Sequence, residues 1–333
     1  MSLPHSDQRI TALIDWLRNS LAMDIHTFEK ASSDASFRRY FRVTHADGRH
    51  IVMDAPPEKE NIEPFIRIAK LLQTHQIQAP SIYQINSELG FLLLEDFGST
   101  SLLDCLSADN ANQLYQNALD NVFKLQTRID TVNSRLPVYD SALLQRELDI
   151  FYEWFMEKLL GILVPNSIKN QLNPLLINSA LEQPQVFVHR DFHSRNLMAL
   201  DNGALGVIDF QDAVIGPISY DAVSLLRDCY ICWPKQLTMQ WLRHYYQRLI
   251  SANLATVDFQ QFSRWFDLMG LQRHLKAIGI FSRLHLRDGK SAYLADIPRT
   301  LTYICDVCES YPELIEFNSF LVKQVLPVYR GAL

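Results

Sequence analysis

The residues best suited to chemistry lie in one short segment, Val188-His189-Arg190-Asp191-Phe192-His193-Ser194-Arg195-Asn196, followed eighteen positions after Asp191 by Ile208-Asp209-Phe210-Gln211-Asp212. Moving a phosphoryl group from a metal-bound nucleotide needs a carboxylate beside the incoming hydroxyl. It also needs oxygen ligands that hold Mg²⁺ against the β- and γ-phosphates. A loop of the form H-R-D-x-x-x-x-N supplies a carboxylate and an amide at fixed separation, and an Asp at the end of the next strand supplies the charged metal ligand. On this reading Asp191 is the base, and Asn196 and Asp209 are the metal ligands. His189 is read as a structural, hydrogen-bonded histidine, because a second base beside Asp191 would be redundant. Asp and Asn near turns mean little singly; the joint spacing carries the inference.

Short strands must position this segment. Val186 to Val188 is an apolar run leading into it, and Leu197–Leu200 and Leu205–Ile208 flank an Asn202-Gly203 hairpin turn. Upstream, Ile10, Leu13, Ile14, Leu17 and Leu21 follow helical spacing after Ser6-Asp7. Tyr40–Thr44 and His50–Met53 read as strands around Asp47-Gly48, and Ile62 to Leu72 as a helix. Ile82–Ile85 and Phe91–Leu94 form a further hairpin. Beyond residue 100 the texture is helical: 111–125, 143–163, 220–233, 237–249 and 259–287. The expected fold is α+β, with a strand-rich lobe over 1–97 and a mainly helical lobe over 98–333.

Composition narrows the means available. Glycine is 11 of 333 residues, and no stretch reads G-x-G-x-x-G or G-x-x-x-x-G-K-[ST], so the two commonest glycine-based nucleotide loops are excluded. A net charge of −6 argues against a general nucleic-acid binder. No apolar run is long enough for a membrane span, and the N-terminus lacks signal-peptide character, so a cytoplasmic protein is expected. The pairs Cys229/Cys232 and Cys305/Cys308 have metal-ligand spacing but sit in apolar, helix-like stretches without knuckle residues, and read as small buried hydrophobes.

With His193 two positions after Asp191, the loop reads H-x-D-x-H-x-x-N and resembles the catalytic loop of the aminoglycoside phosphotransferase-like kinases. That resemblance implies the bilobal protein-kinase-like fold, with ATP and Mg²⁺ as cofactors. It also implies that Asp221 braces the catalytic loop by hydrogen bonding; a carboxylate at a helix N-terminus is the alternative reading. No A-P-E motif follows Asp209, which favours a small-molecule acceptor over a protein. The segment Glu95-Asp96-Phe97 is then the adenine hinge, although Phe97 reads equally well as core. Ser32, Ser33 and Ser36 replace the glycine loop, with Arg38 or Arg39 adding charge. Met53 stands where a V-A-I-K lysine would fall. Lys59 and Arg39 are candidate replacements, and the absence leaves open a nucleotide-binding pseudokinase.

Longer blocks resemble the bacterial cell-wall amino-sugar kinases: Ser33–Arg42, Met53–Glu58, Leu94–Gly98, Gly270–Lys276 and Arg287–Lys290. In that family ATP phosphorylates the anomeric hydroxyl of N-acetylmuramate and N-acetylglucosamine, and the 1-phosphate feeds peptidoglycan recycling. The rival kinase readings are an aminoglycoside, choline or homoserine acceptor. On a helix, Arg273, Lys276, Arg283 and Arg287 share one arc. They form either a solvated face or a surface that grips the lactyl carboxylate of muramate. Arg227 and Asp228 either line the cleft near sugar hydroxyls or form a buried ion pair. Trp233 reads as core packing before sugar stacking. The expected partner is thus a small amino sugar, with no nucleic acid, membrane or obligate protein partner.

Overall fold

The structure is a computed structural model that describes residues 7–32 and 37–332. In chain order it begins with α1 (Gln8–Asp15), continued as a π-helical turn over Trp16–Ser20. Then follow β1 (Ile25–Ser32), β2 (Arg39–His45), β3 (Gly48–Asp54), α2 (Glu63–Thr74), β4 (Ile82–Asn86) and β5 (Phe91–Glu95). The five strands form one antiparallel sheet in the order β1-β2-β3-β5-β4. Asp7 caps α1 by accepting from the Arg9 and Ile10 N–H groups, satisfying donors that a helix start leaves open. The apolar stripe of α1 then packs Leu13, Trp16 and Leu17 on Phe41, Val43, Val52, Phe91 and Leu93 of the sheet.

The second stretch runs α3 (Leu102–Cys105), α4 (Ala111–Arg128), α5 (Ser141–Ile150, continued as a π-helix over Phe151–Leu159) and α6 (Asn166–Leu181). Four short strands follow: β6 (Gln185–Val188), β7 (Leu197–Ala199), β8 (Leu205–Val207) and β9 (Val214–Pro217). The chain ends in α7 (Tyr220–Leu226), α8 (Lys235–Ser251), α9 (Phe259–Asp288), α10 (Ile297–Ser310), α11 (Ile315–Phe320) and α12 (Leu326–Ala332). The 30-residue α9 is the axis of the helical core: Leu268, Leu271, Leu275 and Ile278 meet Leu148, Phe151 and Phe155 on one side and Leu301 and Ile304 on another.

The chain divides into two compact units, residues 1–100 with 198–211, and residues 101–197 with 212–333. The α+β expectation holds, with strands concentrated in the first unit and helices in the second. A single boundary after residue 97 omits the return of 198–211 to the first unit. That return is built from a Val207 N–H to Gln78 carbonyl bond of 2.7 Å and an Ala199 N–H to Thr100 carbonyl bond of 3.0 Å. Gly206 adds to it: a Cβ there would meet the Phe97 ring at 2.5 Å, so a side chain at 206 would displace the ring.

Other expectations are corrected. The helix expected over 220–233 stops at Leu226, because the Asp228 carboxylate accepts the Tyr230 N–H (2.8 Å) and turns the chain. Cys229 and Cys232 are therefore in an irregular segment, while Cys305 and Cys308 are in α10. All five cysteines are free thiols, and among the described residues no three ligating side chains gather for a metal. Strand β1 lies at the sheet edge and carries little apolar alternation, so its sequence gives no strand signal. Helix α6 has a proline at 174 and several Asn residues, so its stripe is faint. Among the described residues no helix is long and apolar enough to cross a membrane.

Candidate active site

In the helical unit, β6 pairs antiparallel with β9 and delivers residues 189–196 at its end. The loop is fixed from behind by two carboxylates. Asp221, fully buried in the first turn of α7, accepts the N–H groups of His189 (2.7 Å) and Arg190 (3.1 Å). Burial pushes its pKa up to about 7 against the pull of those two donors. Asp228, also buried, accepts the Ser194 N–H at 2.8 Å. Arg190 adopts a left-handed φ of 76°, a conformation that costs a non-glycine residue about 1–3 kcal/mol unless its surroundings enforce it. Here Asp221, the Ser224 hydroxyl on the Arg190 carbonyl (3.4 Å) and the Glu147 carboxylate on its guanidinium enforce it.

His189 is buried, meets Phe192 edge-on, and accepts the Asp191 N–H on Nδ1 at 3.3 Å. Asp191 is half-buried, and among the described residues its carboxylate has no hydrogen-bond partner. Burial alone would raise its pKa, but Lys276, His193, Arg190 and Arg273 together hold it below the usual carboxylate range. The result is a charged carboxylate with no hydrogen-bond partner among the described residues. The Asn196 side chain folds back to donate to the Asp191 carbonyl at 3.0 Å.

The cations around this loop are organised by Glu147, which lies on the apolar stripe of α5 beside Leu144 and Leu148. It is 2% exposed, pairs with Lys276 at 2.8 Å, and also receives Arg190 and the Tyr139 hydroxyl. Lys276 also donates to the Tyr220 hydroxyl at 3.3 Å. The sequence signal for Glu147 is a charged residue on an apolar stripe.

The acceptor-side candidates separate. Arg273 and Lys276 are 6% and 8% exposed, and the charges of both act on Asp191; a solvated face is excluded for both. Arg227 and Asp228 are not paired with each other. Arg227 pairs with Asp267 and lies over the Phe266 ring, while Asp228 braces the loop. Arg283 lies two turns further along α9, near Arg287, Asp288 and Glu153, and Arg287 is exposed and paired with Asp288. The Trp233 indole donates to the Tyr115 hydroxyl at 2.8 Å, so it is part of the α4–α8 packing.

In the strand-rich unit, Met53 is fully buried on β3 opposite Leu92, and no basic side chain occupies that position. Arg42 shares its sheet face, by register with Ile51, and is held by Asp96 (2.7 and 2.9 Å) and the Gly98 carbonyl (2.9 Å). Burial raises the Asp96 pKa, but the Arg42 fork and the Gly98 N–H bring it below the ordinary value. Glu95 accepts the Ser81 N–H at 3.1 Å, and Phe97 packs on Gly206. The hinge candidates are thus each held by contacts within the strand-rich unit. Arg39 is engaged by Asp7 and by the buried Asp54, which Arg9 also grips. Lys59 lies over the Phe37 ring, 5.0 Å from its centroid. Ser32 ends β1, and Ser33 and Ser36 lie outside the described residues. Asp209 follows β8 with a left-handed φ of 64° and accepts the Gln211 amide at 2.8 Å, while Phe210 packs its ring on Phe65 of α2, 4.9 Å between centroids.

The profile of the phosphotransferase enzyme family (APH) matches residues 27–259. An N-acetylmuramate/N-acetylglucosamine kinase of Pseudomonas putida is 42% identical, over 96% of this chain and 98% of its own length. A kinase of the same name from Neisseria meningitidis serogroup B is 39% identical, over 96% of both chains. Among solved structures, the choline kinase LicA of Streptococcus pneumoniae has a TM-score of 0.66 at 13% identity, covering 91% of this chain and all of its own. The aminoglycoside phosphotransferase APH(2'')-Ib with ADP bound has a TM-score of 0.58 at 14% identity, covering 91% of this chain and 99% of its own. These neighbours give the protein-kinase-like fold. A loop with a charged, uncommitted aspartate, carried on that fold and matched by the family profile over most of the chain, makes this protein a member of the phosphotransferase enzyme family.

Proposed function

We propose that the protein transfers the γ-phosphoryl group of ATP to the anomeric hydroxyl of N-acetylmuramate or N-acetylglucosamine, yielding ADP and the amino-sugar 1-phosphate. The observation that carries this reading is the 42% identity, over nearly the whole chain, to a relative named for those two sugars. Kinase family membership brings ATP as the co-substrate.

In the proposed mechanism the sugar O1 attacks phosphorus in line as its proton passes to the Asp191 carboxylate. The bond from phosphorus to the β-phosphate oxygen breaks, and that oxygen leaves with ADP. Lys276, Arg273 and Arg190 keep Asp191 ionised before the transfer, so the base is ready when the hydroxyl arrives. Asn196 and Asp209 are assigned to Mg²⁺, which when bound neutralises charge on the β- and γ-phosphates. An amide and a carboxylate oxygen are hard donors of the kind that ion takes, so the donor set fits it. The hinge Glu95-Asp96-Phe97 and the serines 32, 33 and 36 are assigned to the nucleotide. Arg39 is left out, because both of its sides are engaged by Asp7 and Asp54.

The test is ADP release with Mg²⁺-ATP and a panel of acceptors: N-acetylmuramate, N-acetylglucosamine, an aminoglycoside, choline and homoserine. Turnover is expected with the two amino sugars only. Preference for another acceptor would replace the substrate assignment. ATP binding without turnover of any acceptor would make the chain a pseudokinase, the reading that Met53 on β3 favours.

A further inference from the structure

A carboxylate-bearing acceptor needs a cation with free N–H groups beside the base. Of the basic residues around the catalytic loop, Arg190 and Lys276 are held by Glu147, and Arg227 by Asp267. Arg299 donates to the Cys229 carbonyl and lies 3.2 Å from Asp296. Arg273 is buried against the Cys229 thiol. None of these offers a planar fork to an incoming anion without first breaking a pair or leaving a buried site.

Arg195 differs in each respect. It is exposed, and among the described residues its guanidinium makes no hydrogen bond and no contact ion pair; the Asp104 and Asp296 carboxylates act on it only at longer range. It is nonetheless well placed. The Asn196 N–H bonds the His193 carbonyl at 2.9 Å, so Ser194 and Arg195 are the two central residues of a tight turn. Asp228 anchors Ser194, and Asp228 also accepts the Tyr230 N–H, which brings the Tyr230 ring against His193 (5.1 Å, edge to face) and under Arg195. The Arg195 guanidinium carbon lies 3.7 Å from the centroid of that ring. Stacking fixes the plane of the guanidinium while leaving its edge N–H groups unused, and a planar fork suits bidentate capture of a carboxylate.

We propose that Arg195, stacked on Tyr230 in the same turn that carries Asn196, is the specificity residue that binds the acceptor's carboxylate. It thereby favours a lactyl-bearing sugar over its neutral counterpart. This rests on the amino-sugar reading given above and deepens it. It reassigns the anion grip from Arg273, Lys276 and Arg283 on α9 to a residue four positions after the base. The lactyl group is the chemical difference between N-acetylmuramate and N-acetylglucosamine, so the two acceptors form an internal control.

The experiment is steady-state kinetics of wild type, Arg195→Gln and Arg195→Lys with each acceptor at saturating Mg²⁺-ATP, and the KM for ATP of each variant. The selectivity ratio, kcat/KM for N-acetylmuramate over that for N-acetylglucosamine, is expected to fall about tenfold or more in Arg195→Gln, in line with loss of a charge-assisted pair. The fall is expected mainly in KM, with partial recovery in Arg195→Lys, which restores charge without the fork. An unchanged ratio, or an equal loss for both acceptors, would overturn the proposal. So would a rise in ATP KM matching the loss, which would assign Arg195 to the nucleotide phosphates. Wild type that turns over neither sugar would instead overturn the functional reading beneath it.

Discussion

Asp191 lies among Lys276, Arg190, Arg273 and His193, and burial and charge act on it in opposite directions, with charge prevailing. Asp191→Asn keeps the shape and removes the basic oxygen. Turnover is expected to fall by about 10²–10⁴-fold, the usual worth of a positioned base, while Mg²⁺-ATP affinity by calorimetry changes little. Loss of nucleotide binding together with turnover would make Asp191 part of the nucleotide site instead.

His274 makes a separate prediction about pH. It is fully buried, stacks on Tyr303 and donates Nε2–H to the Arg227 carbonyl at 2.9 Å, while its Nδ1 has no partner among the described residues. Burial, then the Arg273 charge, lowers its pKa to about 3. A depressed pKa means the folded state resists protonation, so this stability is present above the ordinary histidine pKa and is lost as pH falls from about 6.5 toward 3. Asp221 has the opposite sign: its raised pKa gives stability that is lost as pH rises from about 4 to 7. The difference between wild type and His274→Gln isolates the histidine, because glutamine keeps the donor and does not titrate. Between pH 7.5 and 5, wild type should lose about 2 kcal/mol more than the variant in urea unfolding. Parallel pH profiles would show that His274 is not held neutral.

At the scale of elements, the loop 189–196 was legible as a unit because its members are close in sequence and its spacing encodes the turn that unites them. Asp221 was legible only through family resemblance, since nothing in its own surroundings says that it will accept the His189 and Arg190 N–H groups. The basic arc of α9 shows the limit from another side. Helical periodicity gives a direction around an axis, so Arg273 and Lys276 do share a face. It gives no depth, and α9 is covered along most of its length, which places both cations inside. Partners such as Asp54 for Arg39, or Asp267 for Arg227, come from distant segments and leave no local pattern.

The same covering explains Gly279. A Cβ there would meet the Ile150 and Phe151 backbone at 2.7 Å, where α5 passes into its π-helical continuation. Because backbone cannot rotate away, Gly279→Ala should cost about 1–3 kcal/mol despite alanine's better helix propensity. Chemical denaturation checks this, and a stabilised variant would show that the two helices can move apart.

At the scale of the molecule, strands β1–β5 precede residue 100 and the long helices follow it. The assignment of 198–211 to the strand-rich unit could not be read, because it depends on Val207 reaching Gln78 and Phe210 reaching Phe65. Glycine scarcity excluded two nucleotide loops without indicating their replacement. The central claim is chemical: one phosphoryl group moves to the anomeric oxygen of an amino sugar. Phosphorus NMR of the product from N-acetylglucosamine and Mg²⁺-ATP tests it most directly. A new phosphomonoester doublet is predicted whose coupling correlates, in a proton–phosphorus spectrum, to the anomeric proton. A doublet correlating to a ring proton other than the anomeric one, a triplet from phosphate on the sugar's terminal CH₂ carbon, or ADP formed with no new phosphoester, would contradict the central claim.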